Sequence, residues 1–135
     1  MMQTTVGVDL VPVARMQRLL DEQPDIKARL FTQRERDYCD AKRRAAQHYA
    51  ARFAAKEAVL KAFGTGLGTD MNWTDVEVVN DPSGRPRARL HGTLAQLAGD
   101  RGLAGLDISL SHTDTLAVAQ AVALFSPAGQ EERDQ

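Results

Sequence analysis

Apolar positions alternate with polar ones at the start of the chain, then fall into a three-to-four-residue spacing, and later return to alternation. This change of period predicts the elements. Thr4 to Leu10 carries β-branched residues in alternation and reads as a strand. Val13, Met16, Leu19 and Leu20 form one apolar stripe, which predicts a helix over Val13 to Leu20, with Arg15 and Arg18 off the stripe and Pro12 at its first turn. Asp21-Glu22-Gln23-Pro24 ends it. Thr32 and Glu35 stand as N-cap and N3 of a capping box, with Phe31 as the staple residue, so a short helix should run to about Tyr38. From Lys42 to Phe63, Ala, Leu, Lys, Glu and Arg dominate, and these strong helix formers predict one long helix closed by Gly64 in the left-handed conformation. The glycines at 64, 66 and 68 then make a loop, read equally well as a plain connector or as backbone made to approach a ligand.

The second half reads mainly as strands. Asp75 to Val79 and Pro86 to Leu90 should pair as a hairpin around Asn80-Asp81-Pro82-Ser83-Gly84. A short helix follows over Thr93 to Ala98. Leu106 to Ser111 and Leu116 to Leu124 are strongly apolar and read as two central strands joined by His112-Thr113-Asp114-Thr115. Helices first and strands later predict an α+β fold, a small antiparallel sheet packed against one long helix. The last two strands are apolar on both faces. One face can lie on the long helix; the other needs cover, which predicts a homo-oligomer.

Length limits the organisation to one domain, over 1–125, with 126–135 expected to be a disordered polar tail. With 135 residues and a formal net charge of −1, a general nucleic-acid binder is excluded. The charge is uneven, however. Arg34, Arg36, Lys42, Arg43, Arg44, Arg52, Lys56 and Lys61 crowd the first half and predict a local basic patch for an anionic ligand. The single Cys39 excludes an intrachain disulfide and a cysteine-rich zinc site, and suits a reducing cytoplasm. Neither a signal peptide nor an apolar run of membrane-spanning length is expected, so no membrane partner is either.

Candidate chemistry concentrates on the long helix. Phe53, Glu57 and Lys61 recur every fourth residue and share one face, with Arg52 and Lys56 in a row beside it. Taken alone, Glu57 and Lys61 are an ordinary surface pair on a solvated face. Asp9, at a strand end before Pro12, is by itself a turn or cap residue. His48 on the long helix reads as a packed or partly exposed histidine outside any site.

In combination these pieces are more specific. Gly7-Val8-Asp9, the block Arg52-Phe53-Ala54-Ala55-Lys56-Glu57 with Lys61 and Ala62, and Ser109-Leu110-Ser111-His112 occur in that order. Together they resemble the holo-acyl-carrier-protein synthases, the small 4'-phosphopantetheinyl transferases, from about Val6 to about Leu124. The resemblance implies that fold and Mg²⁺-dependent transfer of 4'-phosphopantetheine from coenzyme A to a serine of an apo acyl carrier protein, as in fatty acid biosynthesis. It implies Asp9 and Glu57 as metal ligands, with Asp9, Glu57, Lys61 and His112 as the catalytic set. Lys61, His112 and Thr113 would meet the phosphates, and Arg52, with Arg43 or Arg44, the 3'-phosphate. The Gly84-Arg85-Pro86 turn would lie against the cofactor. Arg15 and Arg18 would dock the carrier, although Asp21, Glu22 and Asp25 interrupt that basic stretch and leave open whether the carrier is a fatty-acid or a specialised one. Glu57, directly or through water, is the choice for general base. Family members of this size assemble as homotrimers with sites between subunits. Two other readings use the same residues: a metal-dependent phosphohydrolase acting through Asp9 and Glu57, and a non-catalytic oligomeric binding domain.

Overall fold

A computed structural model describes residues 1–126. Strand β1 (Gln3–Pro12) leads into helices α1 (Val13–Glu22), α2 (Ile26–Leu30), α3 (Gln33–Asp40) and the long α4 (Ala45–Phe63). A 3₁₀ turn (Trp73–Asp75) precedes the hairpin β2 (Val76–Asn80) and β3 (Pro86–Leu90), followed by α5 (Gly92–Asp100), β4 (Leu103–His112) and β5 (Leu116–Phe125). β1, β5 and β4 form one antiparallel sheet in that order, and β2 and β3 form a second. The α+β expectation holds: α4 lies across β1 and β5.

Small residues set how closely α4 approaches the sheet. Ala50, Ala54, Ala55 and Ala58 on the helix, and Ala117, Ala119, Ala121 and Ala123 on β5, are all buried. The tightest point is Gly7 on β1, where a Cβ would overlap the Ala58 carbonyl and stand 2.8 Å from the Ala62 backbone nitrogen. Only glycine fits there, because backbone of the two elements is nearly in contact.

Several boundaries differ from the sequence reading, each for a local reason. α4 begins at Ala45 rather than Lys42, since Arg44 at φ −113°, ψ 68° is not helical. Asp75 belongs to the 3₁₀ turn, where its carboxylate accepts from the Asn72 backbone N–H at 3.3 Å. The short α2 has no periodic signal and no side-chain cap, so nothing in the sequence announces it. Of the two C-terminal strands, only β5 is central; β4 is an edge, because β1 occupies the other side of β5. The capping box at Thr32 and Glu35 and the left-handed Gly64 stand as expected, at φ 73° for Gly64. The polar tail falls at 127–135, outside the described residues, while the Ser126 N–H still donates to the Gly102 carbonyl at 2.7 Å.

Lys56 corrects the basic patch. Its side chain is wholly buried, as is that of Glu35, and the ammonium donates to Glu35 Oε1 at 2.8 Å, to the Trp73 carbonyl at 3.2 Å and to the Val76 carbonyl. All three ammonium hydrogens are used. Glu35 in turn accepts from the Val78 N–H at 2.9 Å, so this pair ties α3, α4 and β2 together. Lys56 is a strut inside the fold, and no ligand reaches it.

Candidate functional site

Asp9 lies on the α4-facing side of β1, and Glu57 and Lys61 lie on the face of α4 that meets it. Lys61 Nζ donates to Asp9 Oδ1 at 2.9 Å and to the Val8 carbonyl at 3.0 Å. Burial pushes the Glu57 carboxyl above its usual range; the neighbouring Asp9 carboxylate pushes the same way, and the charges of Lys61 and Arg15 oppose. The Lys61 ammonium is raised, chiefly by its hydrogen bond to Asp9. A slot of about 290 Å³ opens beside this group, with Asp9, Arg15 and Glu57 at its polar end and Met16, Leu19 and Phe53 among its apolar walls. Arg15 is thus part of the slot. The Glu57–Lys61 helix pair expected from spacing is replaced by a tertiary one, Lys61 to Asp9.

Two adjacent carboxylates, with Glu57 held toward its protonated form, are the kind of donor pair that suits a cation. Among the described residues no cluster of three or more His, Cys, Asp or Glu side chains could hold a metal. Asp9 and Glu57 fit instead a hard, oxygen-seeking divalent ion that draws its remaining ligands from water and substrate.

A second group forms on the opposite flank of α4. Nine residues, about two and a half helical turns, separate His48 from Glu57, so the two point in opposite directions. His112, at the end of the edge strand β4, packs its ring on His48, with centroids 5.3 Å apart at 68°. Arg52, 5% exposed, lays its guanidinium 3.8 Å from the Tyr38 ring centroid and donates from Nη2 to Asn80 Oδ1 at 2.7 Å. Asn80 Nδ2 donates to the Gly84 carbonyl at 2.9 Å, tying Arg52 to the Gly84-Arg85-Pro86 turn. Arg34, Arg52, Arg87 and Arg89 line a cavity of about 420 Å³ together with Tyr38 and Asn80. Arg52 Nε is buried there with no hydrogen-bond partner, a donor left for an anion.

Some expected residues stand apart from both groups. Arg43 and Arg44 line a third cleft, of about 480 Å³, where Arg44 Nη1 donates to Asp114 Oδ1 at 2.6 Å. The Thr113 hydroxyl accepts from the Leu116 N–H at 3.1 Å and closes the β4–β5 turn. Arg18 is exposed on α1. Spacing hid Tyr38, His48, Asn80, Arg87 and Arg89, because their roles come from tertiary contacts; the crowding of arginines around 85–89 was the one signal available.

Known proteins share this sequence and fold. The family model of the 4'-phosphopantetheinyl transferase superfamily matches residues 5–120. A holo-[acyl-carrier-protein] synthase of Geobacter sulfurreducens is 50% identical over 117 residues, covering 86% of this chain and 93% of its own. A crystal structure of a holo-(acyl-carrier-protein) synthase from Bacillus anthracis in complex with CoA (3',5'-ADP) has a TM-score of 0.77 and 32% identity, over 93% of this chain and all of the other. The synthase of Neisseria meningitidis has a TM-score of 0.81 and 27% identity, over 88% of this chain and 96% of the other. A carboxylate pair on one flank of a long helix, an arginine cavity on the other, and a match along nearly the whole chain lead to one conclusion: this chain belongs to the 4'-phosphopantetheinyl transferase superfamily.

Proposed function

We propose that this protein is a holo-[acyl-carrier-protein] synthase, transferring 4'-phosphopantetheine from coenzyme A to a serine of an apo acyl carrier protein. The observation that carries this is the pairing of Asp9 with Lys61 beside Glu57, a carboxylate pair and a cation at one point. The serine oxygen bonds to the β-phosphorus of coenzyme A, and the bond from that phosphorus to the bridging diphosphate oxygen breaks, releasing 3',5'-ADP. Asp9 and Glu57 would hold Mg²⁺, which would supply charge neutralisation at the diphosphate.

The chain's own residues do the rest. Glu57, whose carboxyl is raised by burial, takes the serine proton directly or through water, because a base nearer neutrality transfers protons more effectively. Lys61 swings from Asp9 to a phosphate oxygen as a point charge. His112 binds the diphosphate from the other flank, and Thr113 joins it when its hydroxyl turns from the β4–β5 turn to the phosphate. Arg52 and its cavity take the 3'-phosphate, Arg43 or Arg44 adds charge, and the Gly84–Pro86 turn lies against the nucleotide. Arg15 and Arg18 receive an acidic carrier helix, and Arg15's place in the slot brings that helix to Glu57.

The two groups face away from each other within one chain, so a neighbouring copy supplies the missing half. An interface for it is at hand: Val6, Val8 and Leu10 on β1 and Leu116 and Val122 on β5 are exposed on the sheet face away from α4. A homotrimer is the assembly proposed, working in the cytoplasm on the carrier of fatty acid biosynthesis. Among the described residues, no helix is long and apolar enough to cross a membrane. Incubation with coenzyme A, Mg²⁺ and apo carrier tests the reading. The carrier should gain the mass of phosphopantetheine as 3',5'-ADP accumulates. Coenzyme A cleaved with the carrier's mass unchanged would instead mark a phosphohydrolase.

A further inference from the structure

His48 belongs to none of the motifs that identify the family, yet it stands at the centre of the second group. Its ring meets His112 edge-on at 5.3 Å and Tyr38 edge-on at 5.9 Å, at 74°. Tyr38 in turn carries the Arg52 guanidinium at 3.8 Å and the Lys42 ammonium at 4.7 Å. The contacts form one series, from Arg52 through Tyr38 and His48 to His112, that joins α3, α4 and β4. His48 and Arg52 sit one turn apart on α4, so the helix fixes one end of the series. His112 is at the end of an edge strand, exposed to solvent, and His48 is the ring packed against it. Burial first, then the nearby charges of His112, Arg52 and Lys42, push the His48 imidazole below the usual histidine range. A ring in that state packs between cations without adding a further positive charge.

We infer that His48 is a positioning residue: its ring holds His112, and through Tyr38 the Arg52 guanidinium, at one set separation, so that both meet the phosphates of coenzyme A together. This rests on the transferase reading. His48 itself touches no substrate; it removes rotamer freedom that His112 would otherwise lose on binding.

The test replaces the ring and then restores its shape. His48→Ala should raise the KM for coenzyme A about three- to tenfold while kcat stays within about twofold, the scale of one lost aromatic contact. His48→Phe should return KM to within about twofold of wild type. In the free protein, the His112 imidazole NMR signal should move in His48→Ala and lie near its wild-type position in His48→Phe. If His48→Ala does not fold, His48→Leu, which fills the space without a ring face, takes its place with the same expectation. An unchanged KM in the ring-less variant, an unmoved His112 signal, or a His48→Phe variant as impaired as His48→Ala would each overturn the inference. Wild-type protein that transfers nothing from coenzyme A would overturn the transferase reading instead, and the His112 signal still judges the placement without any activity.

Discussion

Lys61 Nζ and Asp9 Oδ1 stand 2.9 Å apart across 52 positions of sequence, and this contact ties Asp9 to the face of α4 that carries Glu57. Glu57, one turn before Lys61, lies close enough to the same Asp9 for the two carboxylates to act on each other. Replacing either Asp9 or Glu57 by Ala should therefore abolish most transfer and its Mg²⁺ dependence. Asp114→Ala, which breaks an exposed pair with Arg44, should cost little. Single variants at Asp9 and Glu57 that retain near-normal, Mg²⁺-dependent rates would remove the pair from the mechanism.

Glu57 also predicts a pH-dependent trade of stability for function. Its carboxyl is raised in the fold, so the folded chain holds that proton more tightly than the unfolded chain. The associated stability is complete below the unfolded value and is lost as pH rises through the folded one. In metal-free protein, Glu57→Gln should match wild type in acid, melt higher above neutrality, and transfer nothing. Thermal melts across pH in a chelator check this; a variant less stable than wild type above neutrality would contradict it.

The buried Lys56–Glu35 pair should be costly to break and cheap to remove whole. Lys56→Met leaves Glu35 charged and unpaired in the core, a loss of about 3–5 kcal/mol. The double change Glu35→Leu with Lys56→Met should recover most of that, less what the freed backbone groups of Thr32, Trp73, Val76 and Val78 cost. Denaturant unfolding of Lys56→Met, Glu35→Leu and the double variant measures it, and additive losses would contradict it.

Gly7→Ala should destabilise by at least about 3 kcal/mol, because the added carbon must push α4 off β1. Circular dichroism and soluble yield report the outcome; a folded variant of wild-type stability would mean that α4 is free to move.

Arg52→Ala should raise the KM for coenzyme A about tenfold or more and lower kcat much less, since a contact with a remote phosphate is binding shared by ground and transition states. With dephospho-coenzyme A as donor the difference should shrink. Equal responses to the two donors would give Arg52 another task, such as supporting Tyr38 alone.

The sequence made legible whatever depends on local order. The strong helix formers of α4, the capping box at Thr32 and Glu35, and the Gly64 stop are each local signals, and each element stands in the structure. Spacing also put Glu57 and Lys61 on one helical face. It did not show that Lys61 would choose Asp9 over Glu57, or that Lys56, one residue from Glu57, would turn inward to Glu35. Those choices depend on what α3 and β1 bring from 21 and 52 positions away. His48 was illegible for the same reason: its partner His112 lies on β4, and a lone histidine on a helix carries no local sign of one. Asn80 reads as a turn residue until Arg52 is seen to reach it.

The central claim is that Asp9, Glu57 and Lys61 on one flank of α4 work with Arg52 and His112 from a neighbouring copy. Co-expression of two impaired chains tests it most directly: Asp9→Ala, and the double variant Arg52→Ala with His112→Ala, assayed at low coenzyme A. Any mixed ring of three contains one interface where an intact carboxylate flank meets an intact arginine–histidine flank, so roughly a quarter of the wild-type rate should return. Mixing Asp9→Ala with Glu57→Ala should restore nothing, since both changes fall on the same flank. A mixture of the first pair no more active than its separate parts would show that each site is built within a single chain.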